Sequence, residues 1–394
     1  MDDALPYRDL RVVDMSQGVA GPFCGMMLAL YGADVVKVEP TAGDWIRQLG
    51  RRYGEHTAAG LANNRGKRSV ALDLRSEAGQ AVVRRLAASA DVYIESFRPG
   101  VSQAMGLGYA ALSALNPDLL YVSVSGFGQT GPYAERPCVD SVAQSFTGLL
   151  SINRGADGVP HRVPFLIVDQ VTGMAALQAV QAALYGRRAG APGRHIDVSL
   201  MQSAATVQTI KLVEAALENG APEALAVPNG SYQAKDGWIN LSVIKHPQWQ
   251  ALARLIGRPD LADDPDYATT SGRAARADTL VPLVAAAIAG READWWIDVL
   301  SAENILCQRV MSHAEFLADP HVRATGAAPA VPQAGVGPVP AVHVPGTPTV
   351  DPADPRQQVP GIGADGRAIL ADWGFATDEI DRLAKDGILR EKAA

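Results

Sequence analysis

The strongest constraint on this chain is an alternation between residues 10 and 125, where short apolar runs of strand length are separated by stretches with helical spacing. LRVVD (residues 10–14), ADVVKVE from Ala33, SVALDL from Ser69, DVYIE from Asp91 and LLYVSV (119–124) read as strands. GMMLALY from Gly25 and EAGQAVVRRLAA (77–88) read as helices. This order indicates an α/β fold, a parallel sheet with crossover helices. The same layer system continues with PFLIVD (164–169) as a strand, a helix from about Val171 to Arg188, RHIDVSL from Arg194 as a strand, and a helix from Met201 to about Glu218. The character changes after GAP at 220–222: hairpin-like pieces such as GWINLSV from Gly237 mix with helices around HPQWQALARLI from His246 and ADWWIDVLS from Ala293, which reads as a smaller second domain. Residues 327–359, rich in Pro, Gly and Val, read as an irregular return segment or linker, and IGADGRAILADWG (362–374) as a helix.

What the chain is not follows from its composition. With 394 residues, 47% hydrophobic and 20% charged, it exceeds one ordinary domain and can bury a large core. No window reaches the roughly 18 uncharged apolar residues of a membrane helix. MDDALPYRDL has neither a basic start nor an unbroken apolar stretch, so neither a signal nor a transit peptide is expected and the cytoplasm is the default compartment. Cys24, Cys138 and Cys307 lack disulfide or C-x-x-C spacing, and His161, His195, His246, His313 and His321 are isolated, so no metal is expected. A net charge of -7 gives no general drive toward nucleic acid or anionic membrane. Any anionic ligand must be held by local basic groups.

Three features carry chemistry. SGFGQTGPY (125–133) contains G-x-G-x-x-G behind a strand, the spacing of a dinucleotide-binding loop. That loop belongs in the first βα turn, opens a helix at its last glycine, and has an acid about 20 residues on. Here the strand lies deep in the chain, Pro132 follows the third glycine, and the acid is missing, so the segment reads as a glycine turn allowing close backbone approach. Asp169 precedes a long helix, as an N-cap or as a carboxylate at the ligand-facing end of a strand, and neither role excludes the other. Lys37, NRGKR (64–68), Arg75 and SFRP (96–99) each stand beside a predicted strand end. Singly they read as solvated faces; together they are better explained by a phosphorylated ligand.

The run VVDMSQGVAGPFCGMMLALYGADVVKVEP (12–40) with Gly43 and Asp44, followed in order by NRGKRSVALDL, ESFRPG, GFGQTGPY, DSVAQ from Asp140 and DPH from Asp319, resembles the class III CoA-transferase family. That family includes formyl-CoA transferase, carnitine CoA-transferase and α-methylacyl-CoA racemase. The resemblance implies a Rossmann-like large domain built from residues 1–220 and 326–394, a small inserted α+β domain at 221–325, and an interlocked homodimer. It implies a CoA thioester and a carboxylic acid as substrates, with no permanently bound cofactor, and Asp169 as nucleophile. Gln17, Gly18, Val19 and Ala20 would lie near the thiol arm, Leu72, Arg75, Ser96, Phe97 and Arg98 around the nucleotide, Met105 beside it, and Pro137, Cys138, Val139 and Asp140 near the pantetheine. Oxyanion donors would come from the glycine loop or from the helix start after Asp169.

The sequence departs from the family in three places. Ala104 stands where formyl-CoA transferase has a basic residue, so Arg98 or another group must hold that phosphate. No glycine-rich loop lies between Val227 and Trp238, and CQRV (307–310) replaces a frequent G-P-V, so the acyl pocket should differ from that of the oxalate enzymes. The expected function is CoA transfer through an aspartyl-CoA intermediate. The alternatives are acyl-CoA racemisation, which in that branch uses a histidine where Val139 stands, and CoA binding without turnover.

Overall fold

The computed structural model describes residues 5–155, 157–218 and 226–391. It divides into two compact units, one formed by the chain up to Thr209 and from Ala324 onward, the other from Ile210 to Arg323.

The first unit is built on a parallel sheet of six strands: β1 (Arg11–Asp14), β2 (Asp34–Pro40), β3 (Arg68–Leu72), β4 (Val92–Glu95), β5 (Leu120–Ser125) and β6 (Arg194–Ser199). Their spatial order is β3-β2-β1-β4-β5-β6. This is the doubly wound Rossmann order, in which the winding reverses between β1 and β4 and ligands bind beyond the strand ends at that crevice. Both faces of the sheet are covered, which is why its strands are nearly continuous in apolar residues. Val12, Val92, Ile94 and Val122 face one core with helices α1 (Ala20–Leu30) and α5 (Ile167–Arg188). Val13, Tyr93 and Tyr121 face the other, with α3 (Glu77–Ala88), α8 (Gly366–Asp372) and α9 (Thr377–Lys385). The same unit carries α2 (Ala58–Asn63), α4 (Asp140–Phe146) and α6 (Leu200–Val207), and α7 (Thr209–Leu217) opens the second unit.

Three local expectations are corrected. PFLIVD is not a strand: the helix begins at Ile167, because the N–H groups of Val168 and Asp169 bond to the Asp140 carboxylate and start the helix there. The helix expected from Met201 onward is two, α6 and α7, parted at Gln208, whose side-chain amide donates to Ala204 O and Thr147 Oγ1. Within the return segment, Ala330–Gln333 and Gly337–Pro340 pair as an antiparallel hairpin. Pro332, Pro338 and Pro340 masked it, since proline donates nothing to a ladder and argues against a strand in sequence.

The second unit is α+β. Strands β7 (Asn229–Ala234), β8 (Gly237–Ser242) and β9 (Leu306–Arg309) form an antiparallel sheet in the order β9-β8-β7. Its core centres on the buried Trp249 and Trp296, whose indole N–H groups donate to Leu261 O (3.1 Å) and Ile288 O (2.9 Å). Among the described residues no helix is long and apolar enough to cross a membrane.

Candidate active site

The turn from β1 into α1 carries Gln17, Gly18, Val19 and Ala20, and buried charge fixes its backbone. Asp14 ends β1 directly opposite Lys37 of β2, a register that brings acid and base together. Lys37 Nζ donates to Ser16 O (3.0 Å) and Asp44 Oδ2 (2.8 Å), while Asp44 accepts from Gly18 N (3.1 Å) and Ile46 N (3.0 Å). Lys67 Nζ reaches Asp14 Oδ2, Pro22 O and Asn64 Oδ1 at 2.7–2.9 Å. Arg47 forks onto Glu39, which also accepts from Ser69 Oγ and Asp44 N. Asp14, Lys37, Glu39 and Asp44 are each 0% exposed. Burial works to raise the Asp14 carboxyl, but Lys67 and Lys37 overcome it and hold the group below the ordinary aspartate range. Burial likewise opposes the Lys37 charge, but Asp44, Asp14 and Glu39 hold that ammonium above its usual range. Gly18 has φ +82°, and a Cβ there would lie 2.5 Å from the Trp45 ring, so the turn requires glycine.

These pairings change the reading of the basic clusters. Lys37 and Lys67 are structural cations with no face toward a ligand, and Arg68 is paired with Asp34 and Asp372. The exposed members are Arg75, paired among the described residues with Asp73 at 3.3 Å, and Arg98. They follow β3 and β4. Across the crevice Gln17 N donates to Ser96 Oγ (2.8 Å), and Ser96 Oγ donates back to Gln17 O (3.2 Å), so the loops after β1 and β4 are laced together. Leu72, Phe97 and Met105 pack in one apolar cluster, Leu72 fully buried. Ala104 is exposed, and beside it Arg84, ion-paired with Glu77, reaches Met105 O.

Asp169 lies in the first turn of α5, partly exposed, with Gly173 one turn on and packed against Ala20 O. That packing sets the start of α5 against the β1–α1 turn. The cap of α5 is Asp140, the first residue of α4: its Oδ2 accepts from Val168 N (2.7 Å) and Asp169 N (3.1 Å), and its Oδ1 from Gln144 Nε2 (2.6 Å). Asp169 is thus free of capping duty. Burial, and then the charge of Asp140, push its carboxyl up to about 7. The same surroundings push the Cys138 thiol up to about 11, by burial and by the charges of Asp169 and Asp140. A thiol held so high is a poor nucleophile near neutrality. Pro137 and Val139 flank it, both exposed.

The glycine loop after β5 backs onto this group, since a Cβ on Gly126 would fall 2.2 Å from that of Cys138. No helix follows Gly131 until Asp140, and the N–H groups of Gly128 and Gln129 are bonded to Ser125 Oγ and Asp197 Oδ2. It is a packing turn and not a pyrophosphate cradle. The N–H groups of Ile167, Val168, Asp169 and Gln170 also have protein acceptors, so the helix start as it stands offers no ready oxyanion donor. Spacing gave no signal for Asp140 as a remote cap, for Gln144 behind it, or for Asp44 under Gly18. Among the described residues no group of His, Cys, Asp and Glu is placed to hold a metal ion.

Comparison with known proteins bears on the whole of this arrangement. The model of CoA-transferase family III matches residues 7–366. The chain is 31% identical over 388 residues to the succinyl-CoA–D-citramalate CoA-transferase of Chloroflexus aurantiacus, covering 96% of each protein. It is 35% identical over 335 residues to the succinate–glutarate CoA-transferase of Agrobacterium fabrum, covering 82% of this chain and 84% of that one. Among solved structures, a CAIB/BAIF family protein from Brucella suis superposes with a TM-score of 0.82 at 31% identity, covering 93% of this chain and 99% of that one. Rv3272 from Mycobacterium tuberculosis does so with a TM-score of 0.82 at 30% identity, covering 92% and 98%. Because these matches run through the sheet, the crevice loops and the inserted unit alike, the chain belongs to CoA-transferase family III.

Proposed function

We propose that the protein moves CoA from an acyl-CoA thioester to a carboxylic acid through a covalent aspartyl-CoA on Asp169. The observation that carries this reading is a carboxyl group relieved of capping by Asp140, pushed up to about 7 and set against the β1–α1 turn at the crevice. An Asp169 oxygen attacks the acyl carbonyl, the C–S bond breaks, and a mixed anhydride and CoA thiolate result. The thiolate attacks the aspartyl carbonyl and releases the first acid as its carboxylate, leaving the aspartyl thioester. The acceptor carboxylate attacks that thioester, and the thiolate returns to the new acyl group and regenerates the Asp169 carboxylate. Each activated carbonyl is exchanged for another, so water exclusion preserves the activation. With the N–H groups of the α5 start already engaged, the oxyanion donors have to come from another segment or from rearrangement on substrate binding.

Incubation with a panel of acyl-CoAs and mono- and dicarboxylic acids, followed by mass spectrometry, should reveal a new thioester. In heavy water without an acceptor, little α-deuterium should enter the acyl group. Fast Asp169-dependent α-exchange with no thioester from any acid would replace transfer by racemisation. That alternative is disfavoured by Val139 and by an Asp140 carboxylate already holding N–H groups.

The nucleotide is assigned to the loops after β3 and β4, with Arg75 and Arg98 as the exposed cations for its phosphates and Arg84 as the basic group beside Ala104. Replacing Arg75 or Arg98 by Ala should raise KM for acyl-CoA about tenfold with little change in kcat, the scale of one charge-assisted bond. An unchanged KM in both variants moves the phosphates elsewhere. A homodimer belongs to the same proposal: Val139, Val142 and Phe146 are 56%, 41% and 49% exposed along the start and face of α4, an apolar strip that a second copy would cover.

A further inference from the structure

Among the described residues of the first unit, one buried cation has no acidic partner. Arg65, between α2 and β3, is 6% exposed. Its Nη2 donates to Val342 O at 2.6 Å, its Nη1 has no partner, and among the described residues no acidic side chain is paired with it. The neighbouring bases of the same sequence cluster are neutralised, Lys67 by Asp14 and Arg68 by Asp34 and Asp372. A buried cation left unpaired is costly, and such groups are ordinarily paired or bind an anion.

Arg65 lines a cavity of about 710 Å³ whose walls are otherwise mostly apolar, among them Phe23 and Met26 of α1, Leu61 of α2, Met174 of α5 and Val339 of the hairpin. That volume suits a small molecule. Gln357, whose Oε1 is also without a partner there, offers only a neutral dipole. Gln170 also lines the cavity, steadied by its bond to Asn63 Oδ1 (3.2 Å), and it directly follows Asp169. The cavity and the candidate nucleophile therefore share the first turns of α5. An apolar chamber with one unneutralised guanidinium at its wall matches a ligand with a short carbon chain and an anionic end, and the planar fork of arginine suits a carboxylate.

We propose that this cavity receives the chain of a dicarboxylic acid, free or as its CoA thioester, with the distal carboxylate paired to Arg65 and the reacting carboxyl directed toward Asp169. The orientation toward Asp169 rests on the transfer reading above; the binding of the distal carboxylate does not. Arg65 is thus a specificity residue. It selects diacids over monoacids of equal length.

The test is equilibrium binding by calorimetry to the full chain, using succinate, glutarate and adipate against butanoate, pentanoate and hexanoate. At least one diacid should bind about tenfold or more tightly than its monoacid counterpart. Arg65→Met should remove that preference without weakening the monoacid, and Arg65→Lys should keep part of it. Asp169→Ala should bind the diacid like the parent, so that a failure of transfer and a failure of this site are read separately. If Arg65→Met does not fold, the parent's own preference and the Lys variant decide. Equal affinity of the parent for every diacid and its monoacid, or a loss in Arg65→Met that falls equally on both, overturns the proposal.

Discussion

Asp169→Ala should abolish CoA transfer, by at least about a thousandfold, and leave CoA binding nearly unchanged, because the carboxylate supplies the covalent step while the nucleotide is assigned to the loops after β3 and β4. Hydroxylamine added during turnover of the parent should mark a peptide containing Asp169. Transfer by the Ala variant at near the parent rate would remove Asp169 from the mechanism. The pH dependence adds a second reading of the same group. Only the ionised form attacks, and the carboxyl is pushed up to about 7, so kcat/KM should rise through that range and level off above it. A profile flat from about pH 5 to 8 would contradict the assignment. The linkage sign follows from the raised value: the folded protein holds this proton more tightly than the unfolded chain does. Stability is therefore lost as pH rises from the ordinary aspartate range to about 7. Asp169→Asn should accordingly melt above the parent at pH near 8, by a few kcal/mol at most, and show little advantage near pH 4.

The parallel sheet was legible because strands buried on both faces are apolar at nearly every position, and Val12 with Val13, or Val92 with Tyr93, face opposite cores. What sequence spacing could not supply were the long-range partners. PFLIVD has the apolar run of a buried strand, and only Asp140, 28 residues before Val168, turns it into a helix start. Lys67 looks like any exposed basic residue until Asp14, 53 positions away, is beside it. NRGKR, grouped in sequence with Lys37, Arg75 and SFRP as cations for a phosphorylated ligand, divides in the structure into a buried strut at Lys67, a surface-side pair at Arg68 and a buried cation at Arg65 with no acidic partner among the described residues. The role of nucleophile came to Asp169 from the family resemblance alone, because its residue type and the helix after it read first as an ordinary cap. In the structure the cap is Asp140, which leaves the Asp169 carboxyl out of that duty.

The largest effect on stability should come from Lys37→Met, at about 3–5 kcal/mol in chemical denaturation, since removing one partner strands the other's buried charge. Lys37 is bonded to Asp44 and to Ser16 O, and Asp44 in turn holds Gly18 N, so the loss acts on the β1–α1 turn as well as on the fold. Protein that still folds should show a raised KM for acyl-CoA. Adding Asp44→Asn removes the stranded charge and keeps an oxygen for the Gly18 and Ile46 N–H groups. The double variant should therefore recover about 1 kcal/mol or more relative to Lys37→Met alone, a coupling that a merely steric cost would not produce. The pH window follows from the directions of the shifts. Asp14 and Glu39 are held below the ordinary carboxylate range, so their contribution is complete above that range and lost as pH falls through the depressed values. Lys37 is held above its ordinary range, so its contribution persists through neutrality and is lost only as pH rises through the raised value. The penalty of Lys37→Met should thus be full near pH 7 and shrink in acid as Asp14 and Glu39 take up protons. A cost below about 1 kcal/mol at pH 7, or no recovery in the double variant, would mean that these charges do not hold the turn.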